Sequence, residues 1–339
     1  MSKTLNPFDS LLPGSQPYPT KGGRAWDPEP GKTMSFEYDR GGWNNIRMAA
    51  EVAVCIAYLH RRAPSIPPAP AEMYLIPGGP CGLFDFFDEA TFRAVVPMVE
   101  PTEVGGLIVP SEYGRCDNPA AADLADLAAA PHWHFDGRCR LFAHYLDLTE
   151  DPGTRARLKR LVRDAFRLRV EIVEEAARTL ARHGLAPGLF VAAHIRRGDF
   201  QYHDIRGLSD REVAEAVHEQ AVALKVVDTK QCDVLLCGDE DMTSLVATLE
   251  RRDGSIRVVC WSKTPMEQTR HDPIVDMLCC AAAGAFLGTP LSTFSTGIEQ
   301  WRGRMGVARD LDGHTGAARP EWRFSPPTAA WGRPLENTV

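Results

Sequence analysis

Between residues 186 and 310 the chain alternates short apolar runs with amphipathic stretches. LFVAAHI, CDVLLCGD, SIRVVCWS and GAFLGT read as strands, while SDREVAEAVHEQAVALKVV, DPIVDMLCCAAA and STFSTGIEQWRGRM read as helices. Strands that carry apolar residues at consecutive positions are buried on both faces, and helices between them make those strands parallel. The run Leu189, Phe190, Val191, Ala192, Ala193 predicts such a strand. Ser209 with Glu212 forms a capping-box pattern at one helix start, and Asp272 with Pro273 opens another.

The N-terminal half has a less regular version of the same pattern. Residues 1–31 read as an irregular leader with six prolines. SFEYDRGGWNNIRMAAEVAVCIAYLHRR then predicts a strand, a glycine turn and a helix, closed by the Pro-rich SIPPAPAE. MYLIP (73–77) predicts a second strand, and FDFFDEATFRAVVPMVE a helix followed by another approach to the sheet. Residues 101–150 show no clear period. One long amphipathic helix is expected from Thr154 to His183, with Gly184 as its C-terminal cap. The pattern implies two α/β domains, 32–185 and 186–310, meeting at a central cleft, with residues 311–339 a tail that packs back on the body.

A net charge of −7 argues against a chain whose main task is gripping a nucleic-acid backbone. No stretch approaches the ~20 apolar residues of a membrane span. As the sequence stands, MSKTLNPFDSLLPGSQPYPTKGG has no apolar signal core, so a cytoplasmic location is expected; an incomplete N-terminus would instead admit the secretory lumen. The nine cysteines are odd in number and contain no C-x-x-C, which speaks against a disulfide framework and leaves a single Cys116–Cys139 bridge open.

Three stretches fall where parallel α/β sheets bind ligands, beyond the carboxyl ends of strands. In HIRRGDF (194–200) an apolar strand ends at two arginines; a buried guanidinium needs an anion, although an Arg–Asp surface bridge would also satisfy it. Gly41-Gly42-Trp43-Asn44-Asn45 offers either a backbone approach to an anion or a tight turn capped by Asn44. Ser292-Thr293-Phe294-Ser295 offers hydroxyls and amides to phosphate, or an ordinary helix cap. Asp276 is by default a solvated helix residue. No G-x-x-x-x-G-K-[ST], placed G-x-G-x-x-G or G-x-S-x-G occurs. Gly238-Asp239-Glu240-Asp241 reads as a loop with a helix cap, and His132-Trp133-His134 with Cys139 lacks a fourth metal ligand.

Taken in order, these stretches resemble the GDP-fucose protein O-fucosyltransferase superfamily, closest in motif to the thrombospondin-repeat type. HIRRGDF is similar to its H-L-R-R-G-D-F motif. PIVDMLCCAAAGAFLGTPLSTFSTGIEQWRGRMG is similar to its V-D-x-x-I-C-A…F-I-G-T-x-x-S-T-F-S segment, while GGWNNIRM and FDFFDEATF match its glycine–Asn and F-F-D segments. The likeness spans roughly residues 35–310. It implies a GT-B glycosyltransferase of two Rossmann-like domains, with GDP-fucose as donor substrate and no metal or other cofactor. It further implies an inverting transfer to a hydroxyl, most readily Ser or Thr of a protein. Alternatives are a glycan acceptor, another nucleotide sugar, or a catalytically silent module binding a nucleotide sugar or a protein. By position, Arg196 would contact the β-phosphate and glycosidic oxygen, His194 the nucleotide and Asp276 the guanine. Ser292, Thr293, Phe294 and Ser295 would cradle the diphosphate, with Gly42 and Asn44 as further donor-binding residues. Arg197 and Asp199 would pair in support. Where the family type has a glutamate as base this chain has Gly41, leaving Asp39 and Glu37 as candidates.

Overall fold

The computed structural model describes residues 26–38, 42–68, 76, 78–100, 107–109, 128–135, 145–196, 209–224, 232–239, 241–261, 268–289 and 292–305, with Phe8 and Leu11. The chain divides into two compact units, one spanning Leu12–Val170 and the other taking in Glu171 onward.

The second unit is built on four parallel strands: β5 (Phe190–Ile195), β6 (Cys232–Gly238), β7 (Ile256–Cys260) and β8 (Ala285–Gly288), ordered β7-β6-β5-β8. Every residue of β5 and β8 is buried. Successive strand residues face opposite sides, so burial throughout means cover on both. Helices α5 (Asp210–Leu224) and α6 (Thr243–Arg252) join one face, where Val213, Val217, Leu245 and Leu249 cluster with Val191, Ala193, Val234 and Leu236. On the other side Ala192, Leu235 and Phe286 are equally buried, and α7 (Asp272–Ala281) contacts β5 and β6. Helix α8 (Thr293–Met305) packs on α7, and its buried Arg302 donates to the carbonyls of Ala283 and Gly284 just past the α7 C-terminus. The capping box is present: Ser209 N–H donates to Glu212 Oε2 at 2.8 Å and Glu212 N–H to Ser209 Oγ at 3.4 Å.

The first unit has a smaller parallel sheet, β2-β1-β4-β3, from β1 (Thr33–Phe36), β2 (Ala63–Ser65), β3 (Leu107–Val109) and β4 (His132–Phe135). Helix α1 (Trp43–Leu59) supplies its core, with Ile46, Val52, Ala53 and Ile56 almost wholly buried. A second strand was expected in MYLIP; apart from Ile76 those residues lie outside the described ones, and β2 comes instead from Ala63–Ser65. Its Pro64 fits there because β2 is an edge strand, where a missing N–H costs no ladder bond.

The single helix expected over 154–183 is two helices, α3 (Pro152–Ala165) and α4 (Val170–Arg182). Between them Phe166 and Leu168 turn inward at alternate positions, and Leu168 bridges Phe87. Asp88 N–H donates to Arg167 O and Arg169 N–H to Phe86 O, so this segment pairs as a strand. Phe166 also meets Phe87 and Phe92 edge-on, at 5.3 and 5.2 Å between ring centroids. The division into units falls here, so α4 belongs with the C-terminal sheet. Gly184 ends α4 with φ +68°, as a C-terminal glycine cap requires. Leu189 is not in the strand: it is 68% exposed, beside Gly188 at φ +78°, and burial begins at Phe190. All described cysteines are free thiols; Cys116 and Cys139 lie outside the described residues, as do the tail beyond 305 and most of the leader.

Candidate functional site

In the order β7-β6-β5-β8 the chain moves outward from β5 through β6 to β7 and then returns to lay β8 on the opposite side of β5. The switch of direction lies between β5 and β8, the place where open α/β sheets take ligands at the carboxyl ends of their strands. The side chains gathered there are tied by one hydrogen-bond network. The Thr289 hydroxyl donates to His194 O at 3.0 Å and accepts from Arg196 N–H at 2.9 Å, locking the end of β5. Thr289 N–H donates to Ser295 Oγ at 3.1 Å, and the same oxygen meets His194 Nδ1 at 2.8 Å. Ser292 Oγ accepts Ser295 N–H at 3.3 Å and so caps the N-terminus of α8.

His194 is 6% exposed and its ring stacks on Phe294, centroids 4.6 Å apart at 25°. Burial, helped by the nearby Arg196 cation, lowers its pKa to about 3, so the imidazole is neutral across the physiological range. The Arg196 side chain is 28% exposed, with Nε 4.0 Å from Asp239 Oδ2.

A cavity of about 640 Å³ opens on this strand end, lined by His194, Arg196 and Phe294 together with Gly238, Asp239, Trp261 and Asp276. It is also lined by Glu175 and Thr179 of α4 and by His183 just past that helix. Trp261, just past β7, donates its indole N–H to Asp276 Oδ1 at 2.8 Å and stacks on His183 at 4.7 Å and 24°. Gly238 is required by crowding: a Cβ there would sit 2.4 Å from Ile195 O and 2.0 Å from Met242 Cε.

Of the expected donor-binding residues, His194, Arg196, Asp276 and Phe294 line one cavity, Ser295 is hydrogen-bonded to His194 and capped by Ser292, and Thr293 is the first residue of α8. Two participants were not singled out in the sequence: Thr289 and Trp261 each sit at the end of an apolar run that was read only as a strand. Gly238 was read as part of a loop with a helix cap, without the crowding that requires it. Arg197 and Asp199 lie outside the described residues, and the carboxylate beside Arg196 is Asp239. Asp241, in the same loop, accepts from Thr243 N–H at 2.9 Å at the start of α6, as a capping residue does.

In the first unit Gly42 is the N-cap of α1, with φ −67° and ψ 172°, and a Cβ there would meet nothing within 4 Å. Neither dihedral nor crowding demands glycine at that position. Asn44 does not cap the helix. It is buried within it, accepting from Arg47 Nε at 2.8 Å, while Arg47 pairs with Glu51 at 2.6 Å. Glu37 is largely exposed, its carboxylate 3.7 Å from His134 Nε2; Asp39 and Gly41 lie outside the described residues. His134 and His132 share Ser35 Oγ, at 2.8 and 2.9 Å, and His132 Nδ1 reaches Thr33 Oγ1 at 2.7 Å. These histidines are thus engaged along the sheet face. Among the described residues no group of three or more His, Cys, Asp or Glu side chains is arranged to hold a metal ion, and no helix is long and apolar enough to cross a membrane.

No family model matches the sequence, and no curated protein matches it. Solved structures do. The α-1,6-fucosyltransferase NodZ co-crystallised with GDP is similar with a TM-score of 0.52 and 16% identity, over 79% of this chain and 92% of that one. A second NodZ structure, from Bradyrhizobium, gives the same values. POFUT1 in complex with GDP-fucose is similar with a TM-score of 0.53 and 13% identity, over 87% of this chain and 97% of that one. The fold expected from the sequence, α/β with two Rossmann-like parallel sheets of the GT-B kind, is the fold found.

Proposed function

We propose that the chain is a fucosyltransferase that uses GDP-fucose. The observation that carries this reading is Arg196, whose backbone N–H is held by the Thr289 hydroxyl at the β5–β8 switch and which lines a cavity together with His194 and Phe294. A helix N-terminus and a guanidinium at one strand end suit a diphosphate. Two of the solved structures of like fold, NodZ with GDP and POFUT1 with GDP-fucose, hold that nucleotide, which supports the same donor here.

In the proposed reaction an acceptor hydroxyl attacks the anomeric carbon of fucose from the side opposite the phosphate. The carbon–oxygen bond to the β-phosphate breaks, GDP leaves with the electron pair, and the configuration inverts. Negative charge grows on the departing oxygen, and Arg196 stabilises it there, the part that a metal ion takes in other transferases. The neutral imidazole of His194 hydrogen-bonds the nucleotide without adding a second cation. Asp276 takes the base. Glu37, with His134 as its neighbour, is the described carboxylate of the two candidates for the acceptor proton. The acceptor we favour is a Ser or Thr of a protein. The likeness to an enzyme named for an α-1,6 linkage favours, as the second reading, a sugar hydroxyl.

The test is release of GDP from GDP-fucose by the purified protein in EDTA, with GDP-mannose as control. Slow hydrolysis of GDP-fucose alone is expected, reduced by about 10²–10³-fold in Arg196→Ala at unchanged thermal stability. Equal turnover of both donors, or an unaffected Arg196→Ala variant, would contradict the assignment.

A further inference from the structure

We infer that Trp261 is a positioning residue for nucleobase selection, acting through Asp276. The inference rests on the nucleotide reading of the cavity and extends it to what distinguishes one base from another. Asp276 alone is a poor selector. It sits on α7 with a half-exposed carboxylate, and a carboxylate free to rotate presents its acceptors in many directions. Here one oxygen, Oδ1, receives the Trp261 indole N–H at 2.8 Å. Indole nitrogen can only donate, so this contact fixes the plane of the carboxylate without competing for a proton.

Trp261 is itself held. Its ring stacks on His183, and the carbonyl of His183 accepts from Arg257 Nη1 at 3.0 Å. The Arg257 guanidinium binds both oxygens of Asp233, at 2.7 and 2.8 Å, across the paired strands β6 and β7. A continuous chain of contacts therefore runs from the sheet through α4 and Trp261 to the Asp276 carboxylate. Such a chain behind a binding group holds its geometry and sharpens discrimination.

The chemistry that a fixed carboxylate recognises is a pair of adjacent N–H donors. Guanine presents N1–H and the 2-amino group on one edge, whereas adenine presents an acceptor at N1, which a carboxylate repels. Loosening the carboxylate should therefore weaken guanine nucleotides and leave adenine nucleotides unaffected or slightly improved. A merely structural role for Trp261 would instead weaken both alike.

The experiment is calorimetric titration of GDP, IDP and ADP into the full chain, wild type beside Trp261→Phe and Asp276→Asn. Phenylalanine keeps an aromatic ring for His183 but is smaller and has no N–H to give to Asp276. Wild type is expected to prefer GDP over IDP and ADP. In Trp261→Phe the GDP:ADP affinity ratio should fall about five- to twentyfold at unchanged ADP affinity, the loss of a hydrogen bond to a charged group. Asp276→Asn should lower the ratio at least as far. A GDP:ADP ratio unchanged in Trp261→Phe, while Asp276→Asn lowers it, would overturn the positioning role and leave the nucleotide reading intact. GDP binding absent from wild type would overturn both. If Trp261→Phe fails to fold, His183→Ala provides the same comparison, since it removes the stack and keeps the N–H; an unchanged ratio there would likewise count against the chain of contacts.

Discussion

The two units of this chain are each built on four parallel strands, yet they hold those strands together differently. In the C-terminal sheet β5 and β8 are buried along their whole length between helices, and apolar packing does most of the work. In the N-terminal sheet one face of the central pair is polar. Thr33 pairs in register with His132 and Ser35 with His134, and their side chains form a hydrogen-bonded row. Beside Thr33 and His132 lies Arg62, 1% exposed, whose guanidinium is 3.6 Å from the Trp133 ring centroid. It donates to the carbonyls of Thr33, Ala128, Ala130 and Pro131, at 2.8–3.3 Å. One sheet depends on exclusion of water; the other on a buried cation whose donors are distributed over backbone carbonyls.

This difference can be broken from either side. The largest effect is expected at Arg62. Arg62→Ala opens a buried space over Trp133 and removes a donor shared by four carbonyls, of which Ala128 and Ala130 keep Lys32 Nζ and Pro131 keeps Thr33 N–H. It should cost about 2–5 kcal/mol in denaturant unfolding. A loss under about 1 kcal/mol would mean that the N-terminal sheet is held by its apolar contacts after all. A pH-dependent effect, smaller at each single pH step, is expected in the C-terminal unit. The His194 imidazole has its pKa lowered from 6.5 to about 3 by burial first and Arg196 second. The unfolded chain therefore binds a proton that the folded chain refuses. Stability from this group is full above pH 6.5 and falls by about 1.4 kcal/mol per pH unit as pH drops towards 3. His194→Gln should flatten that part of the stability–pH curve; an equal slope in wild type and variant would show that the ring is not buried as described.

The same difference explains what could be read in advance. LFVAAHI, CDVLLCGD, SIRVVCWS and GAFLGT announce strands because a strand buried on both faces must be apolar at consecutive positions. HWHF at β4 announces nothing: its two histidines are satisfied by Thr33 and Ser35 about a hundred residues away, a pairing that no local pattern records. Nor does local pattern reveal that 166–169 would leave the helix, since the amphipathic period runs through it and only pairing with residues 86–88 breaks it. The site shows the same limit. Arg196, His194 and Ser292–Ser295 stand out as polar groups where apolar runs stop, whereas Asp276 reads as a solvated helix residue and is pointed to by the family resemblance alone. Thr289 and Trp261 do not, because their roles consist of hydrogen bonds to residues distant in sequence. Asn44, readable as a helix cap, is not one and instead accepts from Arg47 inside α1.

The central claim is that the β5–β8 strand end of the C-terminal unit takes the diphosphate of a guanine nucleotide. A crystal structure of the full chain soaked with GDP tests it most directly. The account predicts diphosphate density between the Arg196 guanidinium and the first turn of α8, with the base against Asp276 and Trp261. GDP bound at any other place on the chain, with the Arg196 cavity empty, would contradict it.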